Sequence, residues 1–425
     1  MPRLRLIGVL LPMVLAAPAR AAVLPLAEVE RCAAANDAAS ASKAETAAAG
    51  ADLDAARSGR HPVVTLNTDA SLAPGGHLVD VTSADGQHFL VQGSQTIGQS
   101  GAFTPVARFG SVASIQANLS DFGRTASRIR AAEHRLRSSR SDAEAVRAEN
   151  VRAADEAYLA WAVAYARLAI TQRHARAVRA QAQAVRGSIS EGSSPSGEEN
   201  AARQAEATVE IESLEAAGEL DRTETTVRQI AGVSWRPLST PDLTVLEEPA
   251  VGSSSRTSFD VKALDEQAAA SSALADSLVR DHAPVLTASG DLGVRGQMDS
   301  VFPVYRVGIV LSVPLWDGGL GSAQARAAQA RSDQLRAEAR SMLKAGRDEQ
   351  ERTAVELARA GARLDVSRRL QRLAQDDLAQ ARERYGLGAT DLRALFDAYD
   401  RLARAEDREL SAKADRVRAA LHVMP

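Results

Sequence analysis

The residues best placed to bind a ligand form the turn Asp317-Gly318-Gly319, which follows an alternating apolar stretch and precedes an alanine- and arginine-rich one. Strand, glycine turn and helix also begin a phosphate-binding loop, where backbone N–H groups cradle phosphate oxygens. A G-x-G-x-x-G motif from Gly319 would need glycine at position 324, but Gln324 stands there. No strand follows to complete a parallel βαβ unit. The sequence argues against a nucleotide site and indicates a bend from a tilted strand into a helix.

Other reactive residue types lack the spacing that catalysis or metal binding needs. The seven histidines are scattered without a His-Glu-x-x-His pair, and the single cysteine, Cys32, excludes a Cys-x-x-Cys pair. The serine-rich segment 188–197 lacks the flanks of a G-x-S-x-G nucleophile elbow and is interpreted as a turn. We therefore expect no enzyme, no cofactor and no metal site.

The first 21 residues have the pattern of an export signal. Arg3 and Arg5 precede an apolar stretch from Leu6 to Leu15, and Ala19-Arg20-Ala21 is a small-x-small cleavage site. Removing its three arginines takes the formal charge from −3 to about −6, which argues against a nucleic-acid partner.

An exported chain with one cysteine has no internal disulfide. The residues before Cys32, Val29-Glu30-Arg31, are charged rather than small and apolar, so a buried helical cysteine is favoured over a lipid anchor.

Long helices dominate the predicted structure. No proline or glycine occurs from Arg124 to Arg186, and a helix there would reach roughly 95 Å at ~1.5 Å per residue. A second long helix is predicted from about 321 to 385, interrupted only by Gly346 and Gly361, and shorter helices follow at 198–230 and 391–423. Each pair predicts an antiparallel hairpin. The apolar run from Tyr158 to Ile170 is too short to span a bilayer and predicts packing between helices rather than ligand binding.

Four stretches alternate with period two and predict strands at about 62–72, 106–119, 284–294 and 304–314. Each has one apolar and one polar face, as in a membrane barrel or a half-buried sheet of a soluble domain. The apolar faces comprise Val64, Leu66, Ala70 and Leu72; Phe109, Ala113, Ile115 and Leu119; Leu286, Ala288 and Leu292; and Tyr305, Val307, Ile309, Leu311 and Val313.

An internal duplication decides between these two interpretations. Asp121-Phe122-Gly123 closes the second strand as Asp317-Gly318-Gly319 closes the fourth, 196 positions later (317 − 121), and Gly192 and Gly388 have the same offset. The repeated unit is helix, strand, strand, long helix, turn and helix.

We predict a first repeat at 22–236 with its helical hairpin at about 121–231. A linker follows at 237–255, and a second repeat at 256–425 has its hairpin at about 317–424. The predicted strand-to-strand loops, 73–106 and 295–304, would lie outside the cell.

The sequence resembles the TolC family of outer-membrane efflux proteins. The resemblance rests on V-L-S-V-P-L-W-D-G-G (residues 310–319) before an alanine- and arginine-rich helix, on Arg384-Tyr385-Gly386-Leu387-Gly388, and on Leu395-Phe396-Asp397-Ala398. It implies a mainly α chain with a membrane β-barrel part. Three copies would form a twelve-stranded barrel and a long α-helical tunnel in the periplasm. The partners implied are a periplasmic adaptor, an inner-membrane pump of RND or ABC type, and outer-membrane lipid.

The same resemblance implies a gate and a docking surface. Tyr385 and Asp397 match gate positions of the family, and Glu198 occupies the first-repeat equivalent of Ala394, where relatives place an acidic partner for the tyrosine. Ala394 and Thr390 replace an acid and an arginine of the family, so the closed state would be held differently here. The implied adaptor-docking tips comprise Gly192, Ser193 and Ser194 of the first hairpin and Leu387, Gly388, Ala389 and Thr390 of the second.

The predicted function is a passive outer-membrane duct for efflux or type I secretion. A periplasmic adaptor also carries helical hairpins, but it should have one hairpin between β-rich halves. A coiled-coil spacer of the envelope would need no strands.

Overall fold

The computed structural model describes residues 23–74, 78–82, 88–92, 105–190, 197–232, 240–247, 256–297 and 300–423. The predicted signal peptide lies outside these residues. The helices are α1 Leu26–Ala33, α2 Asp37–Ser58, α3 Arg124–Ser190, α4 Glu198–Ala231, α5 Arg256–Val279, α6 Leu320–Gly386 and α7 Leu392–Val423. The strands are β1 Val23–Leu24, β2 Val63–Pro74, β3 Leu78–Thr82, β4 His88–Gln92, β5 Pro105–Ser120, β6 Thr240–Pro241, β7 Val285–Gln297 and β8 Ser300–Ser312.

The chain divides into two compact units, each assembled from several segments. The first unit contains Met1–Glu45, Arg140–Ala263 and Ala339–Pro425, and the second contains Thr46–Ser139 and Leu264–Glu338. Both units combine residues of the first and second repeats. The two repeats are therefore interleaved in both units.

The two long helices have equal length. α3 and α6 each contain 67 residues, as the common offset between the repeats requires. The predicted interruptions of α6 are wrong, because the helix is continuous through Gly346 and Gly361. A Cβ at Gly346 would lie 3.0 Å from Thr257 Cγ2, so glycine there leaves room for the start of α5. That close packing offsets the roughly 1 kcal/mol by which glycine disfavours a helix.

None of the helices in the described ranges is long and apolar enough to cross a membrane.

A four-stranded antiparallel sheet is the main β structure of the second unit. Its order is β2-β5-β7-β8, so the two strands of each repeat are neighbours and β5 pairs with β7 across the repeats. One irregularity interrupts the β5–β7 ladder between Asn118 and Ser120. The fold class predicted from the sequence, mainly α with four amphipathic strands, is confirmed.

Both predicted strand-to-strand loops contain more strand than expected. β7 and β8 pair from Val285↔Ser312 to Gln297↔Ser300, which leaves only residues 298–299 between them. The predicted loop 295–304 is therefore wrong, because alternation weakens at Arg295 although backbone pairing continues in register. The longer predicted loop, 73–106, contains β3 and β4, which pair as a separate hairpin.

The registers place the apolar residues of four strands on one continuous face. Leu66, Ala113, Leu292 and Tyr305 are successive cross-strand partners. Leu292 is 70% exposed, Tyr305 81% and Val307 93%. On the other face, Arg306 lies 4.0 Å from Asp291. Large apolar side chains exposed over a whole sheet face indicate a surface that another apolar phase covers.

The backbone of β5 leaves no room for a side chain at Gly293 of β7. A Cβ at this position would lie 2.2 Å from the Ser111 carbonyl oxygen and 2.6 Å from Val112 Cα. Both atoms belong to the backbone, so the strand itself would have to move. We predict that Gly293→Ala lowers the free energy of unfolding by about 1–3 kcal/mol, measured from the strand signal in circular dichroism during denaturation in detergent. Gly308→Ala is the matched control, because the nearest atom to its Cβ, Ser289 Oγ, is 4.0 Å away. Equal effects of the two substitutions would contradict the prediction.

Tyr158 anchors the apolar core of the first unit. Its ring is fully buried and meets Trp161 edge to face, with centroids 5.6 Å apart. Its hydroxyl donates to the Leu24 carbonyl at 2.6 Å and accepts from the Asp242 N–H at 2.6 Å. The prediction that this apolar run packs between helices is confirmed. Cys32 packs against the same cluster but is only half-buried, because it lies at the edge of the buried face of α1.

Asp155 is a buried acid on α3, close to Glu30 of α1. Burial first, and then repulsion from Glu30, raise the pKa of Asp155 to about 8. Its Oδ1 atom has no hydrogen-bond partner in the described structure. The neutral carboxylic acid is therefore the form that the folded chain prefers.

This shift predicts a pH-dependent stability. The pKa of Asp155 is higher in the folded chain than the ~3.9 of an unfolded aspartate. The contribution of Asp155 to the free energy of unfolding is therefore fully present below about pH 4. It is lost as pH rises towards 8, because folding then requires either a buried charge or an extra proton. We predict that the thermal midpoint in detergent falls between pH 5 and 8, and that Asp155→Asn reduces this fall. The exposed Asp221→Asn is the control and should leave the pH profile unchanged. An unaltered profile in Asp155→Asn would disprove the assignment.

Candidate functional site

The strand-to-helix turns use the same hydrogen bonds in both repeats. Asp121 accepts from the N–H groups of Gly123 at 3.1 Å and Thr125 at 2.7 Å. Asp317 accepts from Gly319 at 2.8 Å and Gly321 at 2.7 Å. The two carboxylates therefore cap the first N–H groups of α3 and α6.

These bonds answer the question that the glycine turn raises. The backbone N–H groups that would cradle a phosphate already donate to the turn's own carboxylate. The bonds from Gly321 and Gly319 hold the pKa of Asp317 below its usual value, so the carboxylate stays charged. It takes the position at these N–H groups that a phosphate would otherwise take. Gly318 and Gly319 have φ of 72° and 86°, a region that glycine adopts without steric cost. The expected role as a structural bend agrees with this geometry.

A short 3₁₀ turn, Arg280–His282, contacts both strand-to-helix turns. Arg280 donates to the Gly123 carbonyl at 3.4 Å and to the Ser127 hydroxyl. His282 Nε2 lies 3.1 Å from Asp317 Oδ1. Sequence reasoning missed these two residues, because nothing but their position between α5 and β7 marks them.

The tip of the second hairpin is a defined helix-capping turn. The Ala389 N–H donates to the Arg384 carbonyl and the Gly388 N–H to the Tyr385 carbonyl, at 2.8 and 2.9 Å, with φ of 68° at Gly388. This is a Schellman motif that ends α6. Asp391 then accepts from the Ala394 N–H at 2.9 Å and begins α7. Leu387, in this turn, is exposed.

The corresponding first tip, Gly192, Ser193 and Ser194, lies outside the described residues.

The structure brings two of the three predicted gate residues together. The Tyr385 hydroxyl donates to Glu198 Oε2 at 3.1 Å and so joins the end of α6 to the start of α4. Burial first, and then this charged acceptor, raise the pKa of Tyr385 to about 12. The tyrosine therefore remains a neutral donor at physiological pH.

Asp397 has a different environment. Its side chain is exposed on α7, whereas the neighbouring Phe396 and Ala398 are buried. Within the described ranges Asp397 makes none of the side-chain hydrogen bonds or ion pairs, so it does not join the Tyr385–Glu198 contact.

Two arginines that sequence reasoning missed bind residues of the return helices, α4 and α7, which are the second helices of the two hairpins. Arg186 makes a bidentate pair with Glu206 of α4, at 2.7 and 2.9 Å. Arg382 donates to the Tyr399 hydroxyl of α7 at 3.2 Å and lies over its ring. The two arginines are 196 positions apart (382 − 186), so the repeat offset was the signal that could have found them.

A further polar cluster joins α3, α4 and α7. His174 Nδ1 lies 3.5 Å from Glu212 Oε2, and His174 Nε2 lies 3.8 Å from Asp400 Oδ1. Because each residue comes from a different helix, no local spacing in the sequence could indicate this cluster.

Residues 30–233 match the model of the family described as outer membrane efflux protein. No curated protein matches the chain in sequence.

Three solved structures show the same fold at low sequence identity. CusC, from a study of transmembrane channel formation, superposes with a TM-score of 0.77 at 17% identity, covering 94% of this chain and 90% of CusC. The outer membrane protein VceC of Vibrio cholerae gives 0.73 at 17% identity, covering 93% and 94%. The open state of the Neisseria gonorrhoeae outer membrane channel MtrE gives 0.73 at 16%, covering 96% and 92%.

The duplicated strand and hairpin unit, the family match and the common fold agree with the resemblance found in the sequence. Residues 30–233 of this chain carry the domain of the outer membrane efflux protein family.

Proposed function

We propose that three copies of this chain form a passive exit duct in the outer membrane. The observation that carries the proposal is the sheet β2-β5-β7-β8, which has one apolar face and two open edges. Each copy would contribute four strands to a twelve-stranded barrel, with the helices forming a tunnel in the periplasm. The match of residues 30–233 to the outer membrane efflux protein family supports this function.

Closure explains why one copy is not enough. Four strands cannot surround an aqueous lumen, whereas twelve can. In hydrocarbon an open edge leaves N–H and C=O groups without partners, so β8 of one copy must pair with β2 of the next. Repetition of one such contact by a threefold axis closes the ring.

The direction of the two sheet faces follows from the same argument. The apolar face with Leu292, Tyr305 and Val307 would contact lipid. The face with Asp291 and Arg306 would line the lumen, where water and transported substrates pass.

The hairpin tips are proposed to dock a periplasmic adaptor, which links the duct to an inner-membrane pump. The capped turn at Leu387–Thr390 supports this role, because it presents an exposed apolar side chain on a fixed backbone. The equivalent residues Gly192, Ser193 and Ser194 are assigned the same role through the repeat. Energy for transport would come from the pump, which leaves this chain a passive, non-enzymatic part. The adaptor alternative gains no support from a fold with two hairpins and four amphipathic strands.

The Tyr385–Glu198 contact is proposed to hold the periplasmic end closed. It joins the second hairpin to the first inside one copy, and a hydrogen bond to a charged acceptor contributes about 1.5–3 kcal/mol. Asp397 is proposed to face the opening. Three such carboxylates at ~6 Å would repel by about 3 kcal/mol per pair at an effective dielectric near 20, which favours cations in the opening.

The barrel proposal predicts disulfides between copies. In a Cys32→Ser background, we combine Thr65→Cys on the lumen face of β2 with cysteine at Gly308, Val310 or Ser312 of β8. At least one pair should produce a covalent trimer on a denaturing, non-reducing gel of outer-membrane fractions. Thr65→Cys with Ser289→Cys is the control, because β7 is a central strand whose partners β5 and β8 are both in the same sheet. A monomer in the soluble periplasmic fraction, or no trimer from any pair, would refute the proposal.

The gate proposal predicts a change in resting conductance. Tyr385→Phe removes the donor to Glu198 but keeps the ring, so the open fraction in planar bilayers should rise about 10- to 100-fold, which corresponds to the 1.5–3 kcal/mol above. Tyr399→Phe is the matched control, because that hydroxyl bonds Arg382 of the same hairpin instead of the first repeat.

A separate variant tests the ring of carboxylates. Asp397→Ala should lower cation preference and block by multivalent cations, with little effect on the open fraction. If Tyr385→Phe and Tyr399→Phe conduct alike, and Asp397→Ala keeps its selectivity, these residues are ordinary positions of solvated helices.

A further inference from the structure

We propose that His174, Glu212 and Asp400 bind a divalent first-row transition cation such as Zn²⁺. The site goes beyond the proposed duct function and does not depend on it. One candidate ligand atom from each residue lies within 4.8 Å of the other two. The three side chains come from α3, α4 and α7, and all belong to the first unit.

The environment of His174 indicates a bound ligand rather than an accidental proximity of two acidic side chains. Its side chain is only 6% exposed, yet Nδ1 has no hydrogen-bond partner in the described structure. The 3.5 Å to Glu212 Oε2 is too long for a good hydrogen bond. A buried nitrogen without a partner is unfavourable, and a bound cation would supply the missing partner.

The two carboxylates remain available to a cation. Arg404 binds Asp400 Oδ2 at 2.5 Å and leaves Oδ1 directed towards His174. Glu212 makes no hydrogen bond within the described ranges and is partly exposed, which gives an ion access from solvent. All three residues line one cavity of about 650 Å³.

Positive charges in the cavity wall are mostly paired, so they do not cancel both carboxylates. Arg167 lies 2.6 Å from Asp407 and Arg222 lies 3.3 Å from Glu219. Arg408 also lines the cavity, and its charge would lower the affinity for a cation without removing a ligand.

The donor set determines the class of metal. One imidazole nitrogen with two carboxylate oxygens suits Zn²⁺, Co²⁺ or Ni²⁺ better than Ca²⁺ or Mg²⁺, which prefer oxygen ligands alone. A tetrahedral Zn²⁺ with bonds of about 2.0–2.2 Å holds its donor atoms roughly 3.4 Å apart. The candidate ligand atoms lie within 4.8 Å of one another, so rotation of the Glu212 and Asp400 side chains would have to bring their oxygens closer to one His174 nitrogen, and water would complete the coordination.

Such an ion would act as a clamp between the repeats. His174 and Glu212 belong to the first hairpin, whereas Asp400 belongs to the second. The cation would therefore join the same two hairpins that the Tyr385–Glu198 bond joins, at a separate level of the helices.

The test is a titration of the full-length protein, purified in detergent and stripped with chelator, with Co²⁺ and then Zn²⁺. We expect one ion per chain, a visible Co²⁺ absorption band typical of mixed nitrogen and oxygen ligands, and a thermal midpoint that rises with Zn²⁺. His174→Gln and Glu212→Gln should each weaken Co²⁺ binding at least tenfold. Glu212 is partly exposed, so its variant should fold even if His174→Gln does not.

His134→Gln is the matched control. His134 also lies beside a carboxylate, with Nδ1 2.7 Å from Glu266 Oε2. That carboxylate, however, already forms an ion pair with Arg137. Binding should be unchanged in this variant. No saturable Co²⁺ binding by the unmodified protein, or equal binding in all three variants, would overturn the proposal.

Discussion

The unpaired edges of β2 and β8 impose the strongest constraint on this molecule. A strand surrounded by hydrocarbon has no water to satisfy its N–H and C=O groups, so every edge must find another strand. The four-stranded sheet contains three strand pairings and, within the described residues, leaves the outer edges of β2 and β8 open. Apart from the irregularity between Asn118 and Ser120, the pairing is in register across the sheet from β2 to β8. In the proposed duct, assembly would thus be part of the fold itself rather than a later association of finished monomers.

Each repeat must also convert a strand into a helix within a few residues. The carboxylates of Asp121 and Asp317 stabilise this change of direction. They accept hydrogen bonds from N–H groups that have no partner in a strand or a helix. Charge, rather than apolar packing, holds the bend. Arg280 and His282 then connect the two bends, so the repeats meet where the chain changes from β to α structure.

Sequence reasoning succeeded where the signal was periodic. Alternation with period two located the four strands and their apolar face. The family resemblance, carried to the first repeat by the offset of 196 positions, implied that Glu198 is the acidic partner of Tyr385, and the two side chains are hydrogen-bonded. It failed where the decisive contact was distant in the chain. The residue that packs closely against Gly346 of α6 is Thr257 of α5, and the His174 cluster combines residues of three helices. The hairpin β3–β4 was missed for a different reason, since two five-residue strands give too short an alternation to separate from a loop.

The equal length of α3 and α6 restricts how the chain can change over evolutionary time. The core of the first unit interleaves residues of both long helices with both return helices, as in the cluster that contains Val178, Leu378 and Leu395. An insertion of seven residues into one long helix alone would displace its partners by about 10 Å along the axis, so the interleaved side chains would meet the wrong neighbours. A viable lengthening or shortening must occur twice, at equivalent places in the two repeats. Because of the duplication, the lengths of the two hairpins are linked, and neither hairpin can lengthen or shorten by itself.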